Sequence, residues 1–146
     1  TTQTAAHLLI VDDEPDILKM LLMILKTQTP YHVDSAQNGQ EALAKYQKAL
    51  ASDQPYALIV TDLKMPRMNG ESLIREIRKT DQKIAFVVLS GHIVLSEVET
   101  FRQECHISKV LQKPFREITL LLSAVKEALS GFVDCHEMLN QRLTPY

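Results

Sequence analysis

The chain has 146 residues, enough for one domain with a substantial core. It is 45% hydrophobic and 23% charged, contains no Trp, and carries a formal net charge of -2, so bulk charge draws it neither to nucleic acid nor to a membrane surface. No apolar run approaches the roughly 20 residues that cross a bilayer, and no basic start followed by a long apolar stretch marks a secretion signal. Opening on Thr1 rather than Met, the sequence is read as a piece trimmed or excised from something longer.

The apolar pattern changes period repeatedly, as it does when strands and helices alternate. LLIV (8–11) is a short continuous apolar run that stops abruptly at Asp12-Asp13-Glu14. A helix follows from Pro15 to Lys26 with Ile17, Leu21, Ile24 and Leu25 at helical spacing, and Pro15 suits its first turn. A weak strand, YHVDSA (31–36), leads to Asn38-Gly39 and a helix marked by Leu43, Tyr46 and Leu50. ALIVT (57–61) reads as a buried strand, with Leu73, Ile74 and Ile77 on the next helix. IAFVVL (84–89) is a strong strand, followed by a helical stretch with Leu95, Val98 and Phe101. Lys109 to Leu111 is a short strand, and Ile118, Leu121, Leu122, Val125 and Leu129 mark a last amphipathic helix. Continuous rather than alternating apolar strands indicate a parallel sheet covered on both faces. The expected architecture is α/β: a doubly wound, five-stranded parallel sheet in the order 2-1-3-4-5, flavodoxin-like, with helices on both faces.

In such a sheet, ligands bind beyond the carboxyl ends of the strands, where strand order reverses. Asp12 and Asp13 follow the first strand, Asp62 the third, Ser90 the fourth and Lys113 the fifth. Three carboxylates, a hydroxyl and an ammonium group therefore converge on one cleft. Clustered carboxylates repel one another unless a cation intervenes, and an all-oxygen donor set selects a hard ion such as Mg2+. With the metal and Lys113, the charges roughly cancel, and an incoming phosphoryl group meets no net negative wall.

Each residue also has a plainer explanation. Asp12-Asp13 before Pro15 could serve as a helix N-cap. Asp62 could belong to the turn-rich LKMPRMNG, Ser90-Gly91 could open a loop, and Lys113-Pro114 could be a surface turn. A nucleotide or flavin pocket on this fold would want a Gly- or Ser/Thr-rich loop after the first strand, where acids stand instead. Cys105-His106 and Cys135-His136 lack the spacing of a zinc site, and two reduced thiols are the expectation.

LLIVDDEPDI, AQNGQEAL, ALIVTDLKMPRMNG, VVLSGH and LQKPF, in this order and spacing, resemble the receiver domains of two-component response regulators from His7 to about Leu129. The resemblance implies that Asp62 is the phosphoacceptor and that Asp12, Asp13, Asp62 and the backbone carbonyl of Lys64 hold Mg2+. It implies that Ser90 is a switch hydroxyl, that Lys113 pairs with a phosphoryl oxygen, and that Lys113-Pro114 is a cis peptide. Where such receivers commonly carry Tyr or Phe three residues before the lysine, this chain has Val110. Lys64 and His92 occupy positions resembling those that tune dephosphorylation, so changing either is expected to alter phosphoryl lifetime more than stability. Leu18 and Leu22 on the first helix either belong to a helix buried nearly all round or form a patch resembling the docking site for a phosphohistidine-bearing bundle.

The sequence thus predicts a receiver domain over residues 7–130 and a C-terminal helical extension or linker over 131–146. Leu122, Val125, Leu129, Phe132, His136, Leu139 and Leu143 form a heptad-like seam suited to a second copy or to a helix leading into an output domain. The expected function is a phospho-accepting switch that takes its phosphoryl group from a sensor histidine kinase or a histidine phosphotransfer protein. It is not a conventional enzyme, since it catalyses only its own phosphorylation and slow dephosphorylation. A cytoplasmic location and no contact with nucleic acid or membrane are expected. The rivals are a pseudo-receiver acting as an unphosphorylated interaction module, and a phosphohydrolase with an aspartate nucleophile. The latter would need a cap-sized insertion that the sequence lacks.

Overall fold

A computed structural model describes residues 6–65, 67–91, 95–112 and 118–141, with residues 95–98 and 130–141 described as backbone only. The elements alternate: β1 (His7–Val11), α1 (Pro15–Gln28), β2 (His32–Ala36), α2 (Gly39–Ala51), β3 (Leu58–Asp62), α3 (Gly70–Arg78), β4 (Ala85–Ser90), α4 (Leu95–Cys105), β5 (Lys109–Gln112) and α5 (Ile118–Gln141). The strands form one sheet in the order β2-β1-β3-β4-β5, every pair parallel. This is the expected architecture, and no helix among the described residues is long and apolar enough to cross a membrane.

The strands are apolar on both faces because both faces are covered. Leu9, Val11, Ile59, Phe86 and Val88 pack against Ala42, Tyr46, Leu73, Ile74, Ile77 and Phe101 of α2, α3 and α4. Their neighbours Leu8, Ile10, Leu58, Val60, Val87 and Leu89 pack against Leu18, Leu21, Ile24, Leu25, Leu121 and Val125 of α1 and α5. Each fully buried Val, Leu, Ile or Phe among them contributes about 1.5–3 kcal/mol by leaving water.

Several local expectations are corrected. β3 and β4 each extend one residue further than read, so Asp62 and Ser90 are the last residues of their strands; Asp62 pairs with Leu89 and Ser90 with Gln112. The N-cap of α1 is Glu14, with Pro15 in the first turn, so capping does not account for Asp12 and Asp13. Leu18 is 6% exposed and belongs to the core, whereas Met20 and Met23 stand 37% and 61% exposed. The first helix is therefore not buried all round, and Leu18 cannot form a surface patch. On α2, Leu50 is exposed and the small residues Ala42 and Ala49 carry the buried face beside Tyr46, since α2 packs closely on the sheet. Asn38 caps that helix by accepting from the Glu41 amide at 2.9 Å, while Glu41 reaches back to the Gln37 amide at 2.7 Å. α5 continues as helix through Gly131 to Gln141, and the seam positions from Phe132 onward lie outside the described side chains.

Candidate functional site

The parallel register brings the site together. Val11 pairs with Thr61, which sets Asp12 level with Asp62 on the adjacent strand, and Ser90 stands one residue beyond Leu89, the partner of Asp62. Three strand ends from β1, β3 and β4 therefore deliver Asp12, Asp62 and Ser90 to one edge of the sheet. All three are nearly buried, at 1%, 8% and 1% exposed, and Asp13 lies to their solvent side.

Carboxylate oxygens of Asp12, Asp13 and Asp62 lie within 4.8 Å of one another. At that separation in a poorly solvated corner, negative charges repel strongly. The donor set is all carboxylate, which fits a hard divalent cation and not a soft one. Backbone groups orient the acids. The Asp12 amide donates to the Ala36 carbonyl at 3.1 Å, extending the β1–β2 ladder by one bond, and Asp12 Oδ1 accepts from the Glu14 amide at 2.9 Å. Asp62 Oδ1 accepts from the Lys64 amide at 3.3 Å, and Thr61 Oγ1 donates to the Asp62 carbonyl at 2.9 Å. The Lys64 side chain points to solvent. Lys113, Pro114 and His92 lie outside the described residues.

Two glycines that sequence reasoning passed over as turn formers hold the loop after Asp62. A Cβ on Gly70 would stand 2.0 Å from the Asp62 carbonyl oxygen, and one on Gly39 would stand 2.1 Å from the Met68 carbonyl oxygen. The Gly70 amide donates to Leu63 O at 2.8 Å and the Gly39 amide to Met68 O at 2.9 Å. The N-termini of α2 and α3 are thus docked against the loop bearing the acid, with Asn69 capping α3 through the Ser72 amide at 2.8 Å. Arg67 in this loop adopts φ 68, a left-handed conformation uncommon for its type. The Asn38-Gly39 and Asn69-Gly70 pairs were the available signal, each a cap residue followed by glycine at a helix start. Val110 is half-buried against the α2–α3–α4 core layer.

A five-stranded parallel sheet whose β1 and β3 ends present a three-carboxylate cluster is the arrangement of a receiver domain. Residues 8–126 match the response regulator receiver domain family, and the chain belongs to that family of two-component signalling domains. It is 38% identical over 106 residues to a response regulator receiver protein of Anaeromyxobacter sp., a match covering 73% of this chain and 42% of that protein. The chain accordingly spans less than half the length of that relative. Among solved structures, it resembles a CheY-like receiver domain of Methanospirillum hungatei with TM-score 0.79 at 27% identity, covering 90% of this chain and 98% of that one. It also resembles the response regulator TrrA of Thermotoga maritima, solved in complex with Mg(2+)-BeF, with TM-score 0.72 at 28% identity, covering 85% and 99%.

Proposed function

We propose that the chain is a phospho-accepting switch whose acceptor is Asp62. The observation that carries this reading is the cluster of Asp12, Asp13 and Asp62, with carboxylate oxygens within 4.8 Å of one another beside buried Ser90. A carboxylate at the end of β3 attacks the phosphorus of a phosphohistidine. The P–N bond breaks, the imidazole nitrogen leaves and takes up a proton, and an acyl phosphate forms on Asp62. Later attack by water returns the carboxylate and releases phosphate.

Asp12, Asp13, Asp62 and the backbone carbonyl of Lys64 would hold Mg2+, which when bound supplies positive charge against that developing on the transferred group. The complex of TrrA with Mg(2+)-BeF supports this assignment, since beryllofluoride stands in for a phosphoryl group. Ser90, at the end of β4, would donate its hydroxyl to the phosphoryl group, and Lys113 would pair with one of its oxygens. The chain's own backbone does the positioning: the Glu14 and Lys64 amides fix two of the acids before any donor arrives.

The phosphodonor is a sensor histidine kinase or a histidine phosphotransfer protein, and the setting is cytoplasmic. Phosphorylation shifts an equilibrium between two partner-binding surfaces. The receiver unit spans residues 7–130, and residues 131–146 serve as a C-terminal helical extension or linker that leads to an output domain or pairs with a second copy.

The test is intact-mass spectrometry after incubation with a small-molecule phosphodonor or a phosphorylated histidine phosphotransfer domain, with and without Mg2+, on the wild type and Asp62→Asn. One phosphoryl adduct requiring both Mg2+ and Asp62 is expected. An adduct that survives in Asp62→Asn would displace the acceptor assignment. No adduct from either donor, on a folded protein that binds Mg2+, would make the chain a pseudo-receiver.

A further inference from the structure

Directly beneath the acid cluster, one row of side chains crosses the whole sheet. Ala36, Val11, Thr61, Val88 and Val110 stand side by side in register on β2, β1, β3, β4 and β5. The aliphatic members of the row belong to the core layer under α2, α3 and α4. Thr61, at the centre of the row between Val11 and Val88, is 0% exposed and is its one polar residue.

Valine has nearly the shape of threonine, so packing alone gives this position no reason to carry an oxygen. A buried hydroxyl costs free energy unless it is hydrogen-bonded, and its bond is what sets Thr61 apart from a further valine in the row. That bond runs to the neighbouring residue: Thr61 Oγ1 donates to the Asp62 carbonyl oxygen at 2.9 Å. Gly70 abuts the same oxygen, since a Cβ there would stand 2.0 Å from it. The carbonyl is thus held by a donor and by close backbone contact together.

This carbonyl belongs to the Asp62–Leu63 peptide, the first of the loop that follows β3. The next groups along the chain are engaged in turn. Leu63 O accepts from the Gly70 amide at 2.8 Å, and the Lys64 amide donates to Asp62 Oδ1 at 3.3 Å. Rotating the Asp62–Leu63 peptide would carry both groups with it, and so would redirect the carboxylate that the Lys64 amide orients.

We infer that Thr61 is a positioning residue for phosphoryl transfer: its hydroxyl fixes the Asp62–Leu63 peptide and, through the Lys64 amide, the direction of the Asp62 carboxylate. The inference rests on Asp62 being the acceptor. Thr61 acts on it only through the backbone, and a nucleophile held slightly out of line loses rate steeply. β-Branching suits the task, because a side chain with few rotamers presents its hydroxyl at little entropic cost. No water reaches the fully buried position to stand in for a missing hydroxyl.

Three variants separate positioning from packing. Thr61→Val keeps the shape and removes the donor, Thr61→Ser keeps the donor and removes a methyl group, and Thr61→Ala removes both. The rate constant for adduct formation from acetyl phosphate at saturating Mg2+ is read by intact-mass spectrometry, beside urea unfolding of the same proteins. If Thr61 only packed, the rate would follow stability; as a positioning residue it makes the rate follow the hydroxyl. Thr61→Val and Thr61→Ala should be slowed about tenfold, and Thr61→Ser should recover most of the wild-type rate. In Mg2+-free protein, amide exchange at Lys64 and Gly70 should be about tenfold faster in Thr61→Val than in the wild type or Thr61→Ser.

A folded Thr61→Val as fast as the wild type, or a Thr61→Ser as slow as Thr61→Val, would overturn the inference. Should Thr61→Val fold poorly, Thr61→Ser against Thr61→Ala makes the same comparison, because those two differ by the hydroxyl alone. A wild type that forms no adduct tells against the acceptor reading. With the exchange difference present, that failure belongs to the reading and not to the hold on the Asp62 peptide; with it absent, that hold is overturned as well.

Discussion

Gly70 backs directly onto Asp62: a Cβ there would stand 2.0 Å from the Asp62 carbonyl oxygen, with the Asp62 carbonyl carbon and Leu63 Cα both 2.9 Å away. All three neighbours are backbone atoms, so nothing can swing aside. Gly70→Ala must displace the strand end that carries Asp62. We expect a loss of about 1–3 kcal/mol, as for overpacking of a core, measured by urea unfolding. The yield of Mg2+-dependent adduct should fall beyond what the unfolded fraction explains. Gly39→Ala should act similarly through Met68, while Gly91→Ala, with nothing among the described residues within 4 Å of the added Cβ, serves as the control.

The acid cluster stores repulsion. Replacing Asp13 with Asn removes one of three negative charges held within 4.8 Å of one another. In chelator the variant should melt at a higher temperature than the wild type, because like charges no longer oppose folding. Added Mg2+ should then stabilise it less, with affinity lowered by about tenfold, the equivalent of ~1.4 kcal/mol. Thermal melts across a Mg2+ series read both effects from one experiment.

On α1, exposure separates core from surface. Leu18→Ala should cost about 2–5 kcal/mol, because Leu18 is 6% exposed and packs within the α1–α5 layer. Met23→Ala, at a position 61% exposed, should stay within ~0.5 kcal/mol. If the α1 surface docks a phosphodonor, slowed transfer at normal stability should therefore appear in Met20 and Met23 variants.

Arg78 is 9% exposed and joins the end of α3 to the corner after α4. Its Nε donates to Cys105 O at 2.7 Å, Nη1 to Asp81 O at 3.1 Å and Nη2 to His106 O at 3.2 Å, with the guanidinium over the Phe86 ring at 4.7 Å. Arg78→Met leaves three carbonyls without that donor, one of them on His106 at φ 55. The expected loss is about 3 kcal/mol in urea unfolding. Arg78→Lys should recover little, because an ammonium cannot reproduce the fork.

Acid should weaken the fold through two carboxylates away from the cluster. Burial would raise the Asp81 carboxyl, but bonds from the Tyr46 hydroxyl and the Lys83 and Ile84 amides, with the Arg78 charge, hold it below its ordinary value. Asp34 is lowered as well. A depressed carboxyl contributes stability that is present above its unfolded value and is lost as pH falls through its folded one. Melting temperature should therefore drop as pH goes from about 6 to about 3, and Asp81→Asn should flatten that drop. Tyr46→Phe, which removes the 2.7 Å bond to Asp81, should cost about 1 kcal/mol at neutral pH.

The order of strands and helices, and the placement of Asp12, Asp62 and Ser90 at strand ends, could be read directly from the chain. The period of apolar residues reports secondary structure, and a parallel doubly wound sheet gathers the carboxyl ends of its strands on one edge whatever the details. Where the pattern misled, it named the largest apolar side chain instead of the best-fitting one: Leu50 faces solvent while Ala42 and Ala49 face the sheet, since close helix packing rewards small residues. Leu18 looked available as surface because a helix rich in apolar residues does not say which of them the core will take. Other features exist only in three dimensions. Gly70 is required by a backbone carbonyl eight residues away, Arg78 is bonded to carbonyls 27 and 28 residues on, and His7 meets Asp34 across a strand pair. A linear pattern records the polarity of each side chain, but not which distant peptide group comes within hydrogen-bonding reach. Those contacts were decided by the tertiary fold alone.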